Sequence, residues 1–135
     1  MGIVWPSFLP ARGIEKLKQM AESGKYEFYL ITGRYGFVKS ETFHWLDKYQ
    51  LTGVFKKIFI NSDSEQPHLY KRRIIKSSNF DYFIEDNIDI VRDLTNRGVK
   101  TKIYWIYNIS DSLKIYHYKF PYLKKALENI NEDSV

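Results

Sequence analysis

Apolar and polar positions follow two rhythms along this chain, and the rhythms change over at regular intervals. Over residues 13–23 the apolar side chains Ile14, Leu17, Met20 and Ala21 keep the three-to-four spacing of an amphipathic helix, with Gly24 as its stop. Residues 26–32 (YEFYLIT) are aromatic and β-branched, which predicts a buried strand running into a tight turn at Gly33. Helical spacing returns over residues 38–49 through Val38, Phe43, Trp45, Leu46 and Tyr49, and residues 56–61 (KKIFIN) predict a second strand. Pro67 can open a helix whose apolar side is Leu69, Ile74 and Ile75. A third strand is predicted at residues 81–84 (DYFI), a helix at 88–97 stopped by Gly98, and a fourth strand at 101–107. Residues 122–130 predict the last helix, with a fraying acidic tail over 131–135. Residues 1–9, with Pro6 and then Pro10 as breakers, read as an extended entry segment.

Short strands alternating with helices predict βαβ units, right-handed crossovers and a mostly parallel sheet. In such sheets ligands bind at the carboxyl ends of the strands. The 135 residues suit one domain spanning 1–135, without repeats or linkers. The absence of cysteine excludes disulfides, thiol nucleophiles, iron–sulfur clusters and cysteine zinc sites. Apolar runs fall far short of the ~20 residues that span a bilayer, and the N-terminus lacks a signal pattern, so no membrane is expected and a cytoplasmic location is. Lys and Arg number 21 against 16 Asp and Glu, a net charge of +5, which points to anionic partners such as phosphate esters or nucleic acid.

Chemistry-bearing residues gather at the predicted strand ends. YLITGR (residues 29–34), HLYKRRIIK (68–76) and DYFIEDN (81–87) follow one another in order, and over residues 13–107 the chain resembles the haloacid dehalogenase superfamily of phosphohydrolases, in particular its small nucleotidase-like members. The three pieces look like that family's second, third and fourth motifs. The resemblance implies a three-layer Rossmann-like α/β fold with helices on both faces of the sheet, and a phosphatase-type hydrolase acting on a phosphorylated small molecule, nucleotides among the candidates. It also implies roles. Thr32 would hold a phosphoryl oxygen, with Gly33 and Arg34 supplying further donors; Lys71 would neutralise the phosphate, with Lys76 as second choice; Asp86, with Glu85, would hold Mg²⁺. A hydroxyl with free amides, a lysine point charge and hard carboxylates suit those tasks.

The family's first motif, an Asp-x-Asp whose leading Asp attacks phosphorus, is absent. Before Thr32 the only carboxylates are Glu15, Glu22 and Glu27; the first aspartate, Asp47, falls on a predicted helix and Asp63 in a loop. Without a nucleophile the covalent route is closed, and the chain is expected to be inactive or nearly so alone. The central strand is then either missing or replaced. Residues 2–5 could fill its place without a carboxylate, or the chain could be the C-terminal part of a longer protein, truncated or split; the run WPSFLPARGI (5–14) favours the second.

Each residue also has a plainer reading. Glu85 and Asp86 could cap a helix, and Lys71, beside Arg72 and Arg73, could belong to a solvated helix face. His44, His68 and His117 show no metal-ligand spacing. LKIYHYKF (113–120) alternates apolar or aromatic with basic residues, which could line a nucleic-acid surface, while a lysine-guarded edge strand is the plainer expectation. The rival to a phosphohydrolase is a non-enzymatic module whose basic surface holds nucleic acid or a protein partner, and exposed edges beside a missing strand would favour a homodimer.

Overall fold

The computed structural model describes residues 2–6, 13–35 and 39–133, and strands and helices alternate strictly through its first nine elements. They are β1 (Gly2–Pro6), α1 (Ile14–Glu22), β2 (Glu27–Tyr35), α2 (Lys39–Lys48), β3 (Phe55–Asn61), α3 (Pro67–Ser77), β4 (Tyr82–Glu85), α4 (Ile88–Asn96) and β5 (Lys102–Ile106). A 3₁₀ turn (Ile109–Asp111), the short β6 (Lys119–Phe120) and α5 (Leu123–Asp133) follow. One six-stranded sheet results, in the order β3-β2-β1-β4-β5-β6, with every pairing parallel. Parallel neighbours need crossovers; α1 to α4 supply those from β1 to β5, and residues 107–118, with the 3₁₀ turn, lead to β6.

Period-two alternation divides the buried side chains between the two faces. Leu30, Tyr82, Ile84, Tyr104 and Ile106 pack with α1, α2 and α5. Ile31, Phe83, Ile103 and Trp105 pack with α3 and α4. The sheet is covered by helices on both faces, which is why its central strands read as unbroken apolar runs rather than as an in-out alternation. The join of α1 to α5 depends on Gly13: its φ is +121°, and a Cβ there would lie 2.7 Å from Leu123 Cγ and 2.8 Å from the Lys124 amide nitrogen.

Several sequence expectations are corrected. Residues 2–6 are not an entry segment and the central place is not missing: β1 pairs with β2 from Gly2↔Glu27 to Pro6↔Ile31, and with β4 at Ile3↔Tyr82 and Val4↔Phe83. Its residues Ile3, Val4 and Trp5 are strand formers, but five residues are too few to show a period, and Pro6, a breaker in the sequence, closes the strand opposite Ile31. Of the two expectations for the central place, the one in which residues 2–5 fill it holds in this structure. Nor does β2 turn at Gly33. It runs on to Tyr35 through a register shift, with Thr32 opposite Ile60 and Tyr35 opposite Asn61, so the glycine sits in a bulge. The edge strand expected over 113–120 shrinks to Lys119–Phe120. The tail does not fray at 131: α5 continues to Asp133, whose carboxylate accepts from Tyr82 Oη at 2.6 Å and Lys102 Nζ at 2.8 Å.

Candidate functional site

Because every strand runs the same way, β2, β1 and β4 end at one edge of the sheet. Val4 stands opposite Phe83 and Pro6 opposite Ile31, so Ile31, Pro6 and Glu85 lie at one level with Thr32 a residue beyond. Two strand spacings separate β2 from β4, about 10 Å. Thr32 is buried, on the face opposite Ile31 by alternation, whereas Glu85 shares the face of Phe83 and so looks toward α3.

There Glu85 meets Lys71. The Lys71 Nζ donates to Glu85 Oε1 at 2.7 Å, and the carboxylate is fully buried. Lys71 comes inward because it follows Tyr70 and precedes Ile74 and Ile75 on the buried stripe of α3, a helix opened by Pro67. The other oxygen, Oε2, accepts the backbone amides of Asp86 at 2.8 Å and Asn87 at 3.2 Å. Burial pushes the Glu85 carboxyl up to about 7, with the Lys71 charge pulling in the other direction. Burying such a pair is costly unless the remaining lone pairs are satisfied, and the two amides satisfy them.

The Asn87 side chain accepts the Asp89 amide at 2.9 Å and is the N-cap of α4. Capping is thus divided between Asn87 and Glu85, and Asp86 does neither; its carboxylate is exposed, while Trp105 Nε1 donates to its carbonyl at 3.2 Å. With both Glu85 oxygens engaged, Asp86 is the carboxylate left open at the end of β4. Among the described residues no three His, Asp or Glu side chains gather as a metal cluster. One carboxylate is enough for a Mg²⁺ that arrives on a phosphate and too little for one held by the protein alone.

The other sequence-derived candidates separate. Gly33 and Arg34 lie on the backbone of the β2 bulge, and the Arg34 side chain is outside the described set. Lys76, near the far end of α3, is carried to the opposite edge of the sheet beside Asp81 and Lys102. Sequence reasoning missed Asn61, buried at the end of β3, whose amide clamps the loop before α3 by donating to the Glu65 carbonyl at 2.7 Å and accepting the Glu65 amide at 2.9 Å. An Asn closing an apolar strand before a polar run was its signal.

No protein-family model and no curated protein matches this chain. Among solved structures, a chain in the "Structure of the Pnkp1/Rnl/Hen1 RNA repair complex" is similar, with a TM-score of 0.61 and 15% identity over 78% of this chain and 42% of that one. This chain therefore spans less than half of that chain's length, and at such an identity the likeness is one of fold.

Proposed function

We propose that the chain is a phosphohydrolase-type domain of the haloacid dehalogenase kind that holds a phosphate ester over the end of β1 and does not cleave it. The observation that carries this reading is the composition of that strand. β1 lies between the ends of β2 and β4, where Thr32 and the Lys71–Glu85 pair stand, yet neither Gly2–Pro6 nor the stretch 7–12 that follows contains a carboxylate. A phosphoryl group there would meet a hydroxyl on one side and a lysine on the other, with Asp86 available to a Mg²⁺ bound to its oxygens. It would meet no carboxylate from β1 or from residues 7–12 to attack it. Positioning and charge neutralisation remain, which is most of what such sites do for phosphoryl groups.

The test combines binding with turnover. Titration calorimetry with inorganic phosphate and with a nucleoside monophosphate in Mg²⁺ should show binding, weakened several-fold by Thr32→Val, and Asp86→Asn should remove its dependence on Mg²⁺. p-Nitrophenyl phosphate should not be hydrolysed above the buffer rate. Turnover by this chain, or phosphate binding indifferent to Thr32→Val, would overturn the proposal.

A further inference from the structure

The edge of the sheet opposite this site carries a groove that the phosphate reading does not use. Its larger part, 710 Å³, lies where α3 and α4 end and β4 and β5 begin; a smaller part, 130 Å³, shares Val99, Thr101 and Lys102 with it and continues to Tyr116 and His117. The two form one trough.

Four cations line the larger part, Lys76, Arg97, Lys100 and Lys102, against one carboxylate, Asp81. Asp81 is itself engaged, accepting the Gly2 amide at 2.8 Å. Arg97 and Lys102 have carboxylate neighbours, Asp93 at 3.0 Å and Asp133 at 2.8 Å, in solvent-exposed pairs that constrain them weakly. Lys76 and Lys100 are exposed, and among the described residues neither has a carboxylate partner. Lysines are expected near helix carboxyl ends, where they face free carbonyls. Lys100 and Lys102 do not belong to either helix, however, and Ser78 and Asn79 add polar groups beside them.

The far end of the trough differs in kind. Tyr116 is held by its hydroxyl, which donates to the Ile103 carbonyl at 2.7 Å, and by edge contact with Trp105. His117 is exposed, with its ring 4.5 Å from those of Tyr116 and Tyr118. A run of cations leading to a fixed, partly exposed aromatic group matches a ligand with phosphates along one side and a flat base at its end. Single-stranded nucleic acid has that form, whereas a duplex keeps its bases stacked inside and a free phosphate uses only the cations. We propose that this trough binds a single strand of nucleic acid, with phosphates on Lys76, Lys100 and Lys102 and a base against His117 and Tyr116.

Fluorescence anisotropy with a labelled oligouridylate tests it across a salt series. Binding should weaken as salt rises, and Lys76→Ala/Lys100→Ala should reduce the slope of log affinity against log salt by roughly 1.4, about 0.7 for each phosphate contact removed. His117→Ala should weaken binding about five-fold or more through lost stacking. Lys48→Ala/Lys124→Ala removes the same charge from exposed positions on α2 and α5, outside the trough, and should change affinity less than two-fold. All these positions are exposed, so the variants keep the fold. Failure to bind the oligonucleotide, equal losses in the two double variants, or equal affinity for a blunt duplex would each overturn the proposal.

Discussion

Lys71, Arg72 and Arg73 are consecutive cations on α3, and each has a carboxylate within hydrogen-bond distance: Glu85 at 2.7 Å, Asp93 at 2.9 Å and Glu65 at 2.6 Å. In distance the three pairs are nearly alike, and in surroundings they are not. The Lys71–Glu85 side chains are 10% and 0% exposed, those of Arg72–Asp93 25% and 31%, and those of Arg73–Glu65 55% and 32%. One helix turn thus leads from a pair in the sheet's interior to one in water. Ion-pair length alone says little about energy; what decides is how much water each charge has given up and what replaces it. At Glu85 the replacement is a lysine and two amides, so the inner pair is where a change should be felt.

The largest effect expected is from Lys71→Met above about pH 7, where Glu85 is ionised and would lose its cation; the cost in urea unfolding should grow by roughly 1.4 kcal/mol for each pH unit, to about 3 kcal/mol at roughly pH 9. Lys71→Met/Glu85→Gln should recover most of that loss, because a glutamine carbonyl can still accept the amides of Asp86 and Asn87 while the methionine fills the lysine's place. A double variant no more stable than the single one would show that packing around α3, rather than the uncompensated charge, makes the inner pair different.

pH separates the inner pair from the outer ones further. Glu85 is raised from 4.5 to about 7, so between those values the native state keeps a proton that the unfolded chain has released. Stability from this group is therefore complete below about 4.5 and falls as pH rises to about 7. Asp93, on the outer face, has its carboxyl held below the usual range by Arg72 and Arg97 despite some desolvation, so its contribution is present above that range and is lost in acid. The two carboxylates drive stability in opposite directions with pH. Subtracting the urea stability of Glu85→Gln from that of the wild type, from about pH 5 to about pH 8, should give a difference that declines with rising pH. A flat difference would mean that Glu85 titrates alike in folded and unfolded chains.

How much of this was legible in the sequence follows from what produces each feature. The amphipathic stripes of α1, α3 and α4 are periodic, and the strands β3, β4 and β5 are β-branched or aromatic runs set between helical segments, so both kinds of element show in the residues alone. The β1 strand was not, because five residues bounded by a proline show no period and its place comes from two partners distant in sequence. The extension of α5 to Asp133 depends on Tyr82 and Lys102, which local propensity cannot see. At the site, DYFIEDN marked the right strand end, but the division of work within it is tertiary: Glu85 faces inward to Lys71, Asn87 caps, and Asp86 is left outward. Of the basic run 71–73, the plainer reading as a solvated face holds for Arg73 alone.

That residue supplies the smallest effect expected. Arg73 Nη2 donates to Glu65 Oε1 at the shortest distance of the three pairs, so a ranking by length would make it the strongest. Both charges keep much of their hydration, the arginine gives up rotamer freedom to hold the geometry, and salt screens what remains. Arg73→Ala should leave the urea midpoint unresolved from wild type at physiological salt, while Arg72→Ala, half-buried beside an aspartate that Arg97 also serves, should cost roughly 0.5–1 kcal/mol. A loss at Arg73 equal to that at Arg72 would break the ordering by burial. The cause would then lie in the clamp below it, since Glu65 is also the residue whose backbone Asn61 grips at the end of β3. Asn61→Ala would separate the two: if Arg73 acts through that loop, its substitution should have no further effect once the clamp is gone.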